Sequence, residues 1–518
     1  MATEATPVGS GASVHGEVVL SAITKRFGDV LANDAVTVTI ARGEVLGLLG
    51  ENGAGKSTLM NILSGAYPAD EGEILIDGKP VVVRSPRDAL ELGFGMVHQH
   101  FRVIDGLTVA ENLHVGWDET PGWHRRRGEL EDRAGAVIER FGLGLDPRTP
   151  VWQLSVGEKQ RLEILKMLAR DVRFLILDEP TAVLTPQESE RLFGFVRELR
   201  NDGAAVVFIS HKLPEVLAIA DRITVMRKGA KVAEREIDGT LDAQEITRLM
   251  VGADVPRVDT ARTASTGSPA LEVTNLSARD ERGLPALRDV SLLVRSGEIL
   301  GIAGVAGNGQ RDLIDVLAGI RQVDGGTLRI GNQDLTNARP DRIARAGLGL
   351  VPEDRMGGGL AGTETIWRNA ILKIYRQRRF GRAWNLRGAP AREYARTLAA
   401  SVQLSTDAVD RPARTLSGGH AQRLLTGREL DVATAVLVLA YPTRGLDVAA
   451  VASLHRAILG ARDRGLAVLL VSEDLSELLD LADRIAVLYG GRVQGTLERS
   501  DATMSELGRL MGGVADAA

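Results

Sequence analysis

Gly50-Glu51-Asn52-Gly53-Ala54-Gly55-Lys56-Ser57, followed by Thr58, is the stretch that decides the fold. Its glycines, lysine and hydroxyl residue stand at the spacing of a phosphate-binding loop. The glycines let backbone N–H groups converge on phosphate, aided by the N-terminus of the helix that follows. Working outward, Val45-Leu46-Gly47-Leu48-Leu49 reads as a buried strand running into the loop, and 58–64 as the helix it opens. The segment recurs 254 residues on (position 304 against 50) as Gly304-Val305-Ala306-Gly307-Asn308-Gly309-Gln310-Arg311, again behind an apolar run, Ile299–Ala303. Gln310 stands where the lysine was, and Arg311 where the hydroxyl was. The chain is an internal repeat whose halves differ in chemistry.

Further buried-strand patterns lie at 174–177 and 205–209, separated by a helical stretch at 187–201, and they return at 435–439 and 467–471. Such alternation implies an α/β fold with a mainly parallel sheet, and places ligands at the carboxyl ends of the strands. Each half opens with alternating residues and Gly-rich turns that read as antiparallel strands. The expected division is a disordered N-terminus over 1–16, a first domain over 17–255, a linker over 256–268 and a second domain over 269–518.

In the first half, Lys56 would place its charge on the outer phosphates, and Ser57 would ligate Mg²⁺. The strand 174–177 ends in Asp178-Glu179. Two adjacent carboxylates at a buried strand end are costly unless a cation or hydrogen bonds occupy them. Asp178 fits a Mg²⁺ ligand and Glu179 a general base that polarises water, although Asp and Glu also suit plain helix caps. Gln99 and His211 each follow an apolar run; as single residues they are equally well ordinary loop polars. The pair His98 and His100 implies no third metal ligand. Ser155 and Ser417, in Leu154-Ser155-Val156-Gly157 and Leu416-Ser417-Gly418-Gly419, read singly as serine-capped helix starts.

Taken in order, the loop, Gln99, Leu-Ser-x-Gly, Asp178-Glu179 and His211 resemble the ATP-binding subunit of an ATP-binding cassette transporter, across nearly the whole chain. The resemblance implies two tandem cassettes, each with an antiparallel β subdomain and a helical subdomain. It also implies ATP and Mg²⁺ as cofactors. Gln99 would then join the Mg²⁺ site to the helical subdomain, His211 would be the switch histidine, and Phe27 would stack on adenine. Cassettes of this family pair head to tail. One composite site would therefore join the first loop, Asp178, Glu179 and His211 to Ser417, Gly418 and Gly419, with Asp447 also present. The other would join Gln310 and Arg311 to the altered Ser155-Val156-Gly157-Glu158. There Ala440 and Tyr441 replace the acids, Glu353 replaces Gln99, Glu473 replaces His211, Glu281 falls at the place of Phe27, and Thr185 at that of Asp447. All the losses fall on one site, so one hydrolytic and one degenerate site are expected, with nucleotide occupancy of the latter left open.

Twin cassettes in one chain are similar to importers of simple sugars and nucleosides. Met96–Phe101 and the strand end 440–447 lean to the nucleoside branch. Implied partners are two integral-membrane permease subunits and an extracellular substrate-binding lipoprotein, with this chain at the cytoplasmic face of the membrane. The coupling surface is expected between Gln99 and Leu154. His124-Arg125-Arg126-Arg127, flanked by Trp117 and Trp123, reads there as a solvated insertion in preference to a lipid contact.

Composition excludes several classes. The 518 residues carry no cysteine, so disulfides and thiolate chemistry are out. The net charge of −5 gives no general pull toward nucleic acid. No apolar run approaches the about 18 residues that span a bilayer. A soluble twin-cassette factor acting on ribosomes is the main alternative, but such proteins keep both sites and carry a long charged arm between the halves. A DNA-repair cassette would need zinc-binding cysteines.

Overall fold

In the first half, the apolar runs become central strands because they are too short for helices and bounded by turn residues. The computed structural model describes residues 16 to 513 apart from 52, 99–101, 116–126, 143, 155, 171, 182–183, 211, 239–240, 242, 253–266, 306, 383–384 and 447. Asn52, Gln99, His100, Ser155, His211 and Asp447 thus lie outside the described residues. So do most of the basic stretch near Trp123 and most of the expected linker. The chain divides into two units, 1–255 and 256–518.

In the first unit a six-stranded sheet runs in the order Ala230–Glu236, Arg222–Arg227, Val45–Gly50, Ala205–Ile209, Phe174–Asp178, Phe94–Val97. Every pair is parallel except the first, an antiparallel edge. All residues of the three strands at 45–50, 174–178 and 205–209 are buried, so each reads as a continuous apolar run. Phe94 and Phe174 pack at 5.3 Å between ring centroids. Each such burial contributes about 1.5–3 kcal/mol. A separate four-stranded antiparallel sheet begins with Val18–Phe27 and Val30–Ile40. A helical layer (Val109–His114, Arg127–Phe141, Val156–Leu168) has its own core around Leu113, Ala134, Leu162 and Leu165.

The second unit repeats this plan. Its six-stranded sheet orders Leu348–Val351, Val436–Ala440, Ala467–Val471, Ile299–Ala303, Arg484–Tyr489, Arg492–Glu498, antiparallel only at the last pair. A second four-stranded antiparallel sheet starts at Pro269–Arg279. Several expected boundaries move by a residue or two. The strand placed at 435–439 runs one residue later, because Ala435 N–H and Val436 N–H both donate to Gly347 O, so Ala435 belongs to the turn. The helix placed at 58 starts at Lys56, directly after the left-handed Gly55. Among the described residues no helix is long and apolar enough to cross a membrane.

Candidate functional site

Strand Val45–Gly50 ends in a turn that demands glycine twice. Gly50 (φ 153°) passes so close to Met226 that a Cβ there would stand 2.4 Å from its carbonyl oxygen. Gly55 (φ 97°) would similarly meet Ala32 O at 2.3 Å. A helix then runs Lys56–Leu63, with Ser57 exposed at its first turn. Lys56 is only 6% exposed, and its Nζ donates to Gly50 O (2.6 Å) and Glu51 O (3.1 Å), inside the loop. Burial pushes its pKa down, while the charges of Glu179, Asp178 and Glu51 oppose that shift. The three carboxylates favour the charged form of this buried ammonium.

Asp178 is the last residue of its strand and is buried. Burial raises its pKa and the charge of Glu179 raises it further, against a hydrogen bond from Ser57 and the charge of Lys56. The Ser57 hydroxyl and the Asp178 carboxylate therefore lie together. No group of three or more His, Cys, Asp or Glu among the described residues could hold a metal alone. One hydroxyl and one carboxylate fit Mg²⁺, which takes one or two protein ligands and completes its shell with phosphate oxygens and water.

Glu179 takes the left-handed conformation, φ 49°, with its N–H donating to Ile209 O at 2.9 Å. Such a conformation in a non-glycine residue costs of order 1–3 kcal/mol and clusters at functional sites. It turns the chain away from the strand, and the acids do not cap a helix. The next helix, Pro186–Asn201, is capped instead by Thr185 in a reciprocal box with Glu188. Glu215 ties the surrounding loops together, accepting from the Thr181 and Ser210 hydroxyls, and so holds the residue that precedes His211.

Phe27 closes the first strand and is 46% exposed. Its ring meets Tyr67 edge-on at 5.4 Å, and Lys25 Nζ lies 5.6 Å from both ring centroids. Lys25 is held by Asp70 at 2.8 Å, and this bond is the main reason the Asp70 carboxyl lies below its ordinary range. Tyr67, Lys25 and Asp70 brace Phe27, and nothing in their spacing announces it.

The second unit keeps the scaffold and changes the chemistry. Gly304 (φ 157°) and Gly309 (φ 104°) repeat the loop, and Gln310 is buried as Lys56 is, at 2% exposure. Its Nε2 donates to Val305 O at 3.1 Å, and its Oε1 has no hydrogen-bond partner among the described residues. The neutral amide takes the lysine's place without its charge, and Arg311 is exposed. Tyr441 repeats the Glu179 turn (φ 48°, N–H to Val471 O at 2.8 Å) but carries a buried phenol whose pKa is pushed upward by burial. Glu353 accepts from Arg444 Nη1 at 2.6 Å, and Arg355 donates to the carbonyls of Arg444 and Gly418. Glu477 repeats the role of Glu215, accepting from Thr443 (3.0 Å) and Ser472 (2.6 Å).

The Leu-Ser-x-Gly segments also differ. Ser417 caps helix Gly418–Val432 by accepting from His420 N–H (3.4 Å), and the first turn carries no acid. In the first unit Glu158 lies in the first turn of the corresponding helix, and a Cβ on Gly157 would meet Glu188 Oε1 at 2.1 Å. Carboxylates there oppose an anion that the helix N-terminus would otherwise attract.

The ABC transporter family model matches residues 33–182 and again 287–444. The glucose import ATP-binding protein TsgD13 of Haloferax volcanii is 44% identical, with 96% of this chain and 95% of that protein covered. The nucleoside import ATP-binding protein NupA of Lactococcus lactis subsp. cremoris is 41% identical over 95% and 97%. Among solved structures, the archaeal ribosome recycling factor aABCE1, crystallised with the ribosomal stalk protein aP1, aligns over 92% of this chain with TM-score 0.60. Its sequence identity is 20%, so the likeness is one of fold alone. The repeated loop, the strand-end turn and the matched spans agree: the chain belongs to the ABC transporter family, as a tandem pair of its ATP-binding cassettes.

Proposed function

We propose that this protein is the ATP-hydrolysing subunit of an importer of small polar solutes, with one working site. The carrying observation is the cluster of Lys56, Ser57, Asp178 and Glu179 in the first unit, set against Gln310, Arg311, Ala440 and Tyr441 on the same scaffold in the second. Import is supported by relatives that cover 95–96% of this chain and are named for import of glucose, nucleosides and guanosine.

ATP is held by the loop 50–58, with Phe27 against adenine and Lys56 on the outer phosphates. Mg²⁺, held by Ser57 and Asp178 with Gln99, supplies charge neutralisation to the transferring phosphoryl group. Glu179 orients and deprotonates the attacking water, and His211 senses the terminal phosphate. By the family resemblance Ser417, Gly418 and Gly419 would complete such a site, and the acid-free helix start at Gly418 suits an anion. Without the lysine, the hydroxyl and the base, the other site has little with which to stabilise phosphoryl transfer.

The chain works at the cytoplasmic face of the membrane, with two permease subunits and an extracellular binding lipoprotein. Nucleosides are the favoured cargo, on Met96–Phe101 and the strand end 440–447, and simple sugars come next. A ribosomal role has only the fold likeness behind it. Substituting Glu179→Gln tests the site: turnover should stop while ATP still binds, and hydrolysis at the wild-type rate would remove the assignment.

A further inference from the structure

The chain is acidic overall, yet residues 365–392 contain eight Lys and Arg and not one Asp or Glu. In the helical layer of the second unit this segment runs from helix Ile366–Ile371 into helix Gly388–Ser401. Its outer cations are paired: Arg368 with Glu364 at 2.6 Å, Arg392 with Asp410 at 2.6 Å, and Lys373 with the buried Glu429. Four of the middle ones are not. Arg376, Arg378, Arg379 and Arg387 are exposed, and none forms an ion pair among the described residues. The nearby carboxylate of Asp431 accepts instead from the Tyr394 hydroxyl at 2.6 Å.

The segment is also anchored. Phe380 is fully buried, and Arg379 lies over both Phe380 (4.7 Å) and Tyr394 (4.8 Å). A short hairpin follows, with Gly381 paired to Leu386. Gly381 (φ 98°) is required there, since a Cβ would meet Asn385 O at 2.4 Å. Near the two ends of this stretch, Leu372 is 48% and Leu386 38% exposed. Unpaired cations flanked by exposed apolar side chains on an anchored segment match an anionic lipid surface, where charge attracts and short apolar groups enter the headgroup layer. An acidic protein surface would answer the charges but leave the leucines without purpose.

We propose that Arg376, Arg378 and Arg387, with the exposed Leu372 and Leu386, form a membrane-surface contact for anionic phospholipid headgroups, which presses the second cassette's helical layer against the bilayer. It rests on the import reading above, which supplies the membrane. The experiment is flotation of the full chain at low salt with phosphatidylcholine vesicles, with and without phosphatidylglycerol. Wild type is compared with Arg376→Gln, Arg378→Gln and Arg387→Gln combined, and with the same three changed to Lys. Arg379 is left in place because it packs on two rings.

Each arginine near such a surface accounts for about fivefold in binding, so the glutamine triple should bind phosphatidylglycerol vesicles about a hundredfold more weakly. The lysine triple should stay within a few-fold of wild type. Binding should also fall as salt rises. The proposal is overturned if the glutamine triple floats like wild type, or if wild type ignores phosphatidylglycerol. A glutamine triple that floats normally but no longer co-purifies with permease would assign the surface to protein instead. Labelled-solute uptake by cells carrying Lys56→Ala reports on the import reading separately, since vesicle binding by the purified chain needs no nucleotide.

Discussion

Glu179→Gln is the substitution whose consequence can be worked furthest. The backbone at 179 is fixed by its main-chain bond to Ile209 O and by its left-handed turn, neither of which involves the side chain. Glutamine keeps the shape and removes the charge and the proton acceptor. A positioned general base contributes about 10²- to 10⁴-fold to rate. At 1.36 kcal/mol per tenfold, the barrier should rise by about 2.7–5.5 kcal/mol. Two neighbours respond as well. Asp178 loses the charge that, after burial, does most to raise its pKa, so it ionises more readily. Lys56 loses its largest opposing charge, so its pKa falls further. Removing a negative charge beside the phosphates should leave ATP affinity unchanged or higher. The assay is single-turnover hydrolysis beside equilibrium binding of ATP. Hydrolysis within about threefold of wild type would refute the assignment, as would loss of ATP binding. The converse change, Tyr441→Glu, should create no second activity, because Gln310 and Arg311 remain.

Other expectations follow from the same geometry. Phe27→Ala removes the braced aromatic and should weaken ATP binding by about 0.5–1.5 kcal/mol, read by titration with a fluorescent nucleotide. Glu215→Ala leaves the Thr181 and Ser210 hydroxyls without their acceptor. It should cost about 1–3 kcal/mol of stability and lower kcat, whereas Glu477→Ala should cost stability with kcat unchanged. His98 is partly buried, and burial with the charge of Arg102 lowers its pKa from 6.5 to about 4. The unfolded state therefore takes up that proton first, so stability should fall as pH drops from about 6.5 to about 4. Denaturant unfolding of His98→Gln should show a shallower decline over that window.

The scaffold was legible because its signals are local. Buried parallel strands are short apolar runs, and a loop that must turn at Gly50 and Gly55 writes its glycines in order. The repeat made the second unit readable from the first. Two kinds of feature stayed hidden. Boundaries shifted where a turn borrows an apolar residue, as at Ala435. Contacts between distant segments left no pattern: Tyr67 beside Phe27, Glu215 joining the loops after two strands, and the Glu353, Arg444 and Arg355 set that ties the altered strand end to Gly418. Tyr441 illustrates both sides. Its identity announced a lost acid, but only the structure shows that it keeps the Glu179 turn, so the loss is one of chemistry and not of fold.

The most direct test of a single working site is uptake of labelled nucleosides and simple sugars by cells whose only copy carries Lys56→Ala, beside cells carrying Gln310→Ala. Uptake of one solute class should vanish with Lys56→Ala and persist with Gln310→Ala. Survival of all uptake in the Lys56→Ala cells would contradict the account.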